Sequence, residues 1–249
     1  MKRFFVMLCC ALLLGPAAAS GAEDDPLVAD LSEHFIKITA GFTGARVLLF
    51  GAIEGDGKVV IIVQGPPNDV TVRRKEETAG LIWVNRREVQ FATVPSFYRV
   101  LSSEPLDNWL PTEIRKRHEI GVQYLDIHPI DADTAAEGEA FRQALLRNMR
   151  RTDRFGEDEG SVQLVGGKLF RADLNLPANV PTGYYNVQVI LIQDGKVRSI
   201  RATPLQVNKA GLEAQVFRMA YEYPALYGVA AIIIAVFAGL LANAAFRKV

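Results

Sequence analysis

Ala45-Arg46-Val47-Leu48-Leu49-Phe50-Gly51-Ala52-Ile53, then Glu54-Gly55-Asp56-Gly57, then Lys58-Val59-Val60-Ile61-Ile62-Val63: two apolar, β-branched runs around a short polar, glycine-rich break. Runs of this length and composition read as β-strands, and the break has the chemistry of a hairpin turn. Working outward, Phe35 to Thr39 alternates, and Val70-Thr71-Val72-Arg73 is a further strand candidate. Leu81 to Val84, Val89 to Phe91 and Phe97 to Leu101 follow, broken by polar turns and Pro95. In the C-terminal half, Ser161 to Val165 and Lys168 to Leu174 flank Gly166-Gly167. Tyr185 to Ile192 alternates, Gln193-Asp194-Gly195-Lys196 reads as a hairpin turn, and Val197 to Val207 returns.

The pattern changes between these halves. Pro111 to Val122 reads as a helix with proline at a tolerated first position. Asp133 to Arg151 is a clearer helix: Thr134-Ala135-Ala136-Glu137 fits a capping box, and Phe141, Leu145 and Met149 share one face. The stretch Leu176 to Val187 has the look of an E–F corner, where a tyrosine just after a turn bonds back to the backbone; Tyr184 or Tyr185 fills that place. The expected fold is mainly β: an immunoglobulin-like β-sandwich over residues 23–208, with a helical insertion at about 105–155 and one C-terminal transmembrane helix. Two small β domains joined by a helical linker are the alternative.

Both ends are more apolar than the middle. Met1-Lys2-Arg3, an apolar run from Phe4 to Leu14 and small residues to Ala22 have the three parts of a secretory signal, expected over residues 1–22. Both cysteines, Cys9 and Cys10, fall inside it, so the expected mature chain has no disulfide, thiol nucleophile or thiolate metal ligand. The chain has 28 basic and 28 acidic residues; without Lys2 and Arg3 the basic count is 26. That balance lacks the basic excess of a nucleic-acid binder.

From Tyr223 to Phe246 no charged residue occurs. A helix over 223–246 is roughly 36 Å long, enough for the ~30 Å hydrocarbon core of a bilayer. Tyr221, Tyr223 and Tyr227 stand where an aromatic belt sits, and Arg247 and Lys248 follow the run. The positive-inside rule then puts the tail, 247–249, in the cytoplasm and the body outside the inner membrane, in the periplasm. Residues 209–222 are expected to form a juxtamembrane amphipathic helix. Ala231, Ala235, Gly239 and Asn243 recur at helical spacing and would let another helix approach closely.

Catalytic signals are few. His118 and His128 lie near Glu119, Asp126 and Asp131, but without the spacing of a metal motif; His34 reads as structural. No Gly-x-Ser-x-Gly elbow and no phosphate loop occurs. No enzyme activity, cofactor or metal is expected. Arg115, Lys116 and Arg117, with Arg147, Arg150 and Arg151, occupy the helical insertion; packed side by side, the two helices would pool positive charge for an anion or an acidic partner.

Leu169-Phe170-Arg171-Ala172, Leu176-Pro177 through Gly183-Tyr184, Asp194-Gly195 and Tyr227-Gly228 through Phe246-Arg247 resemble an uncharacterised transmembrane protein family of alphaproteobacteria. Gly65-Pro66, Trp83-Val84-Asn85 and Pro95-Ser96-Phe97-Tyr98 fit the same family. The resemblance implies a periplasmic domain in a Gram-negative bacterium, beside a multi-pass exporter of the sulfite type. The expected function is a membrane-anchored accessory or assembly subunit. A stand-alone binding module for a small anion or envelope component is the alternative.

Overall fold

A computed structural model describes residues 25–78, 82–156, 158–210 and 220–246. The expected signal (1–22), most of the expected juxtamembrane helix (209–222) and the tail (247–249) lie outside these residues; 220–222 are helical.

Lys58–Gln64 is β4, and its burial explains the architecture. Val59, Val60, Ile61, Ile62 and Val63 are all buried, so both faces of the strand are covered. Val59, Ile61 and Val63 enter one apolar core, while Val60 and Ile62 enter a second. Its neighbour β10 (Gly183–Gln193) divides the same way: Val187, Val189 and Leu191 face the first core, Ile190 and Ile192 the second.

The first core fills a large curled sheet of nine strands in the order β1-β3-β9-β8-β7-β4-β10-β11-β2. The remaining strands of this sheet are β1 (Leu27–Leu31), β2 (Phe35–Ile38), β3 (Gly44–Ile53), β7 (Tyr98–Ser102), β8 (Gly160–Val165), β9 (Leu169–Pro177) and β11 (Lys196–Lys209). Strands from the two halves of the chain pair directly: β3 with β9, and β4 with β10. That pairing sets aside two β domains that fold apart. The curl brings β1 back towards β11, where the Asp25 carboxylate accepts from Ser199 Oγ at 2.7 Å and pairs with Arg201.

β3 and β4 do not form the hairpin that residues 54–57 suggested. β3 pairs with β1 and β9, whereas β4 pairs with β10 and β7, so the turn crosses from one arm of the sheet to the other. Gly55 takes a positive φ there, and Gln193 Nε2 donates to the Glu54 carbonyl at 2.8 Å, tying the turn to the end of β10. Asp194-Gly195 does close a two-residue hairpin, with Gln193 opposite Lys196.

The second core lies on the outer face of β4, β7 and β10. It is covered by α2 (Ala135–Arg151) through Phe141, Leu145, Leu146 and Met149. A two-stranded ribbon, β5 (Pro67–Thr78) and β6 (Ile82–Pro95), adds Val72, Val89, Phe91 and Val94. The strands expected separately at 81–84 and 89–91 are one, β6. The helix expected over 111–122 is shorter, α1 (Thr112–Arg117). It ends because Glu119 and Gly121 both take positive φ. The Tyr98 hydroxyl holds that bend, donating to the Glu119 carbonyl at 2.5 Å and accepting from the Gly121 amide at 2.8 Å.

α3 (Pro224–Phe246) is the C-terminal apolar helix. Within Pro224–Asn243 an 18-residue window reaches a mean hydropathy of 2.5, and none of that window is buried against the rest of the protein.

Candidate functional site

β4 and β11 finish at the end of the sheet where β10 begins, and β11 leads from there towards α3. At this exit end a groove of about 370 Å³ opens between Gln64, Thr93, Glu119, Asp126, Tyr184 and Asn186. Local backbone chemistry shapes it. Gln64-Gly65 ends β4, Pro67 and Pro95 face each other at the base of the ribbon, and β6 bulges there, with Ala92 and Thr93 opposite the single residue Asp69. The Asp69 carboxylate then accepts from the Thr93 amide at 3.2 Å.

Among the described residues four non-glycine residues have positive φ, and two of them, Thr93 (52°) and Glu119 (52°), line this groove. A β-branched residue in that region is a conformational outlier, and such residues gather where a site holds them in place. The Glu119 carboxylate accepts from Gln64 Nε2 and from the Asp126 amide, each at 3.3 Å. Beneath it the Tyr98 hydroxyl stays protonated: burial pushes its pKa well up, partly offset by its bond to Gly121. Asp126 pairs with His128 Nε2 at 2.5 Å on the open side. Among the described residues the groove lining carries two carboxylates, two amides, a phenol and the Thr93 hydroxyl, and no Lys, Arg or His. That chemistry accepts hydrogen bonds and attracts positive charge.

The basic residues expected to pool separate into two groups. Arg115 is turned inward, 6% exposed, paired with Asp107 and stacked over the Tyr124 ring at 5.0 Å. It shares a cavity of about 210 Å³ with Arg150, and Asp107, Asp158 and Glu159 line the same space, so little net positive charge is left for an anion. Lys116, Arg117, Arg147 and Arg151 are exposed. His118 is partly buried; that burial, with the neighbouring Arg117 charge, lowers its pKa from 6.5. His34 sits 3.0 Å from Asp30. Asp131 accepts from the Gln90 amide at 2.8 Å. Among the described residues no three His, Cys, Asp or Glu side chains come together as metal ligands.

Gln64, Thr93 and Asn186 are groove residues that sequence reasoning missed, and Tyr184 was read only as a corner candidate. The signal was the proline-rich pair Gly65-Pro66-Pro67 and Pro95, which mark the ribbon base; the backbone strain at Thr93 has no sequence signature. On α3, Ala231, Ala235, Gly239 and Asn243 are all exposed, and no atom comes within 4 Å of a side chain placed at Gly239.

Comparison with curated proteins and with solved structures gives no match. Residues 26–248 match the family described as "Putative transmembrane protein (Alph_Pro_TM)", a match that takes in the curled sheet, the helical insertion and α3 alike. With nearly the whole chain covered and a helix long and apolar enough to cross a bilayer at its C-terminal end, the protein belongs to this transmembrane family.

Proposed function

We propose that the protein is a membrane-anchored accessory or assembly subunit: an immunoglobulin-like sandwich held in the periplasm beside a multi-pass inner-membrane protein. The observation that carries this reading is the bare span. α3 has no buried residue over Pro224–Asn243, so its packing surface, including Ala231, Ala235 and Gly239, is left for lipid or for another helix. The resemblance makes an anion exporter of the sulfite type the expected neighbour. Arg247 and Lys248 favour a cytoplasmic C-terminus.

Strand order supports the fold in this reading. One arm runs β1-β3-β9-β8 and the other β7-β4-β10-β11-β2, the order A-B-E-D against C′-C-F-G with a parallel edge strand. The B–C and E–F connections of such a fold cross between arms, as residues 54–57 and 178–182 do here. Tyr185 occupies the corner position, its hydroxyl donating to the Pro181 carbonyl at 2.6 Å.

Detergent extraction and affinity capture with mass spectrometry test the role. Wild type and the Ile233→Leu/Phe237→Leu variant should recover the same membrane partner, and Ala235→Leu/Gly239→Leu should recover much less. Equal recovery from both variants would favour the second reading, a stand-alone binding module for a small anion or envelope component. The strained groove supports that alternative, and its carboxylates suit a cationic or hydroxyl-rich envelope component better than an anion.

A further inference from the structure

We infer that the exit end of the domain docks on the surface of the bilayer that α3 enters, through contacts with anionic lipid headgroups; this rests on α3 acting as a span. Strand direction supplies the first argument. β11 runs to Lys209, and Ala210 donates to the Ile38 carbonyl at the end of β2. Only about 14 residues separate Ala210 from Pro224, roughly 20 Å as a helix and about 50 Å fully extended. The end that β11 leaves is therefore the one held nearest the membrane.

Arg117 and Arg151 of the helical insertion lie at this same end, with Lys116 next to the first in the chain and Arg147 one helical turn before the second. Arg117 lies two residues before Glu119, which bonds Gln64 at the finish of β4. Arg151 adjoins Thr152, whose carbonyl accepts from Asn179 Nδ2 at 2.9 Å in the loop between β9 and β10. Lys37 and Lys209 face each other one residue out of register at the ends of β2 and β11. Lys37, Lys116, Arg117, Arg147, Arg151 and Lys209 are all exposed, and none forms an ion pair among the described residues.

Charge at the opposite end differs. Glu54, Asp56, Glu104 and Asp194 are exposed there beside Lys168 and Lys196, and Lys58 is taken up by Glu104 at 2.6 Å. The exit end carries its unpaired cations around the rim of the Glu119 and Asp126 groove, and it is this rim, each basic residue near an anionic surface contributing on the order of 1 kcal/mol, that would orient the domain. Two aromatic rings add to the near side. Tyr184 and Phe35 are 70% and 65% exposed, and both stand opposite Gln206 on the outer face of adjoining strands. Rings of this kind favour the headgroup layer.

The test uses the full chain with Cys9 and Cys10 replaced by serine, reconstituted in nanodiscs of phosphatidylcholine alone or with phosphatidylglycerol. A fluorophore is placed at Ala178→Cys, in the exit-end loop, or at Asp56→Cys, at the far end. Headgroup-labelled lipid reports proximity by quenching. Quenching should be stronger at 178 than at 56, should rise with phosphatidylglycerol, and should lose that rise in Lys116→Ser/Arg117→Ser/Arg147→Ser/Arg151→Ser. Equal quenching at the two positions, or no response at 178 to lipid charge, overturns the inference while the chain still co-elutes with the discs. Failure to co-elute would instead overturn the span itself.

Discussion

Tyr184 and Tyr185 are neighbours with opposite fates, decided by strand alternation. Tyr185 points into the first core, 1% exposed, and its hydroxyl must find a partner there; it reaches the Pro181 carbonyl. Tyr185→Phe should therefore cost about 1–3 kcal/mol in urea unfolding of the domain, because a part-buried carbonyl loses its donor. Tyr184→Phe should change stability by less than about 0.5 kcal/mol, as an exposed substitution does. Gly183, just before them, has φ 141°, and a side chain there would come within 2.7 Å of Pro66, so the corner needs glycine. His118 gives a pH-dependent case. Burial, then the Arg117 charge, lowers its folded pKa below 6.5. The unfolded chain then takes up the proton first, so stability falls as pH drops from about 6.5 to the folded value and levels off below it. His118→Asn should flatten that step in thermal melts between pH 7 and 5, leaving the acid transitions of carboxylates in place.

At the scale of elements, α2 is fixed by its first turn. Thr134 Oγ1 accepts from the Glu137 amide at 3.1 Å, as the capping pattern predicted. The return bond goes elsewhere: Glu137 accepts from the Asp133 amide at 3.0 Å, one residue earlier than a capping box has it. The same carboxylate takes Arg87 Nε of the ribbon at 2.8 Å, and Arg87 also reaches Asp133 at 2.8 Å. Arg87's hydrogen bond is the largest cause holding the Glu137 carboxyl below its usual range. Thr134→Ala should cost about 1 kcal/mol, the typical loss of an N-cap. Arg87→Met should loosen the ribbon from the helix, seen as faster amide exchange in β5 and β6 with little change in β10. The attraction between Arg87 and Glu137 persists above pH 4.5 and is lost as pH falls through the lowered value.

Across the whole molecule, β4 and β10 couple the two cores. Ile61 faces one and Ile62 the other, on adjacent residues of a single strand. Ile61→Ala and Ile62→Ala should each destabilise by about 2–5 kcal/mol. Both should shift one common unfolding transition, followed by tyrosine fluorescence and far-ultraviolet circular dichroism. Two separable transitions would mean that the helical side unfolds on its own. A fragment of residues 25–156 should not fold, because β3 would lack β9 and β4 would lack β10. Its circular dichroism, compared with that of residues 25–210, checks this.

The strands, the α2 helix and the apolar C-terminal run were legible from residues alone because each is written in local periodicity. Lys58 to Val63 could only be a strand, and Pro224 to Asn243 is apolar over a length no short strand needs. Which strand lies beside which was not legible. Glu54-Gly55-Asp56-Gly57 has the composition of a hairpin turn, yet it crosses between arms, and β4 is buried on both faces beside β10. The same holds for the groove. Thr93 and Glu119 share it though they stand far apart in the chain; the positive φ of Thr93 falls in a bulge of β6 set by its pairing with β5, and that of Glu119 in a bend held by the Tyr98 hydroxyl of β7. Local sequence sets what a segment prefers; pairing and burial between distant segments decide where it goes, and only the folded chain carries that free energy.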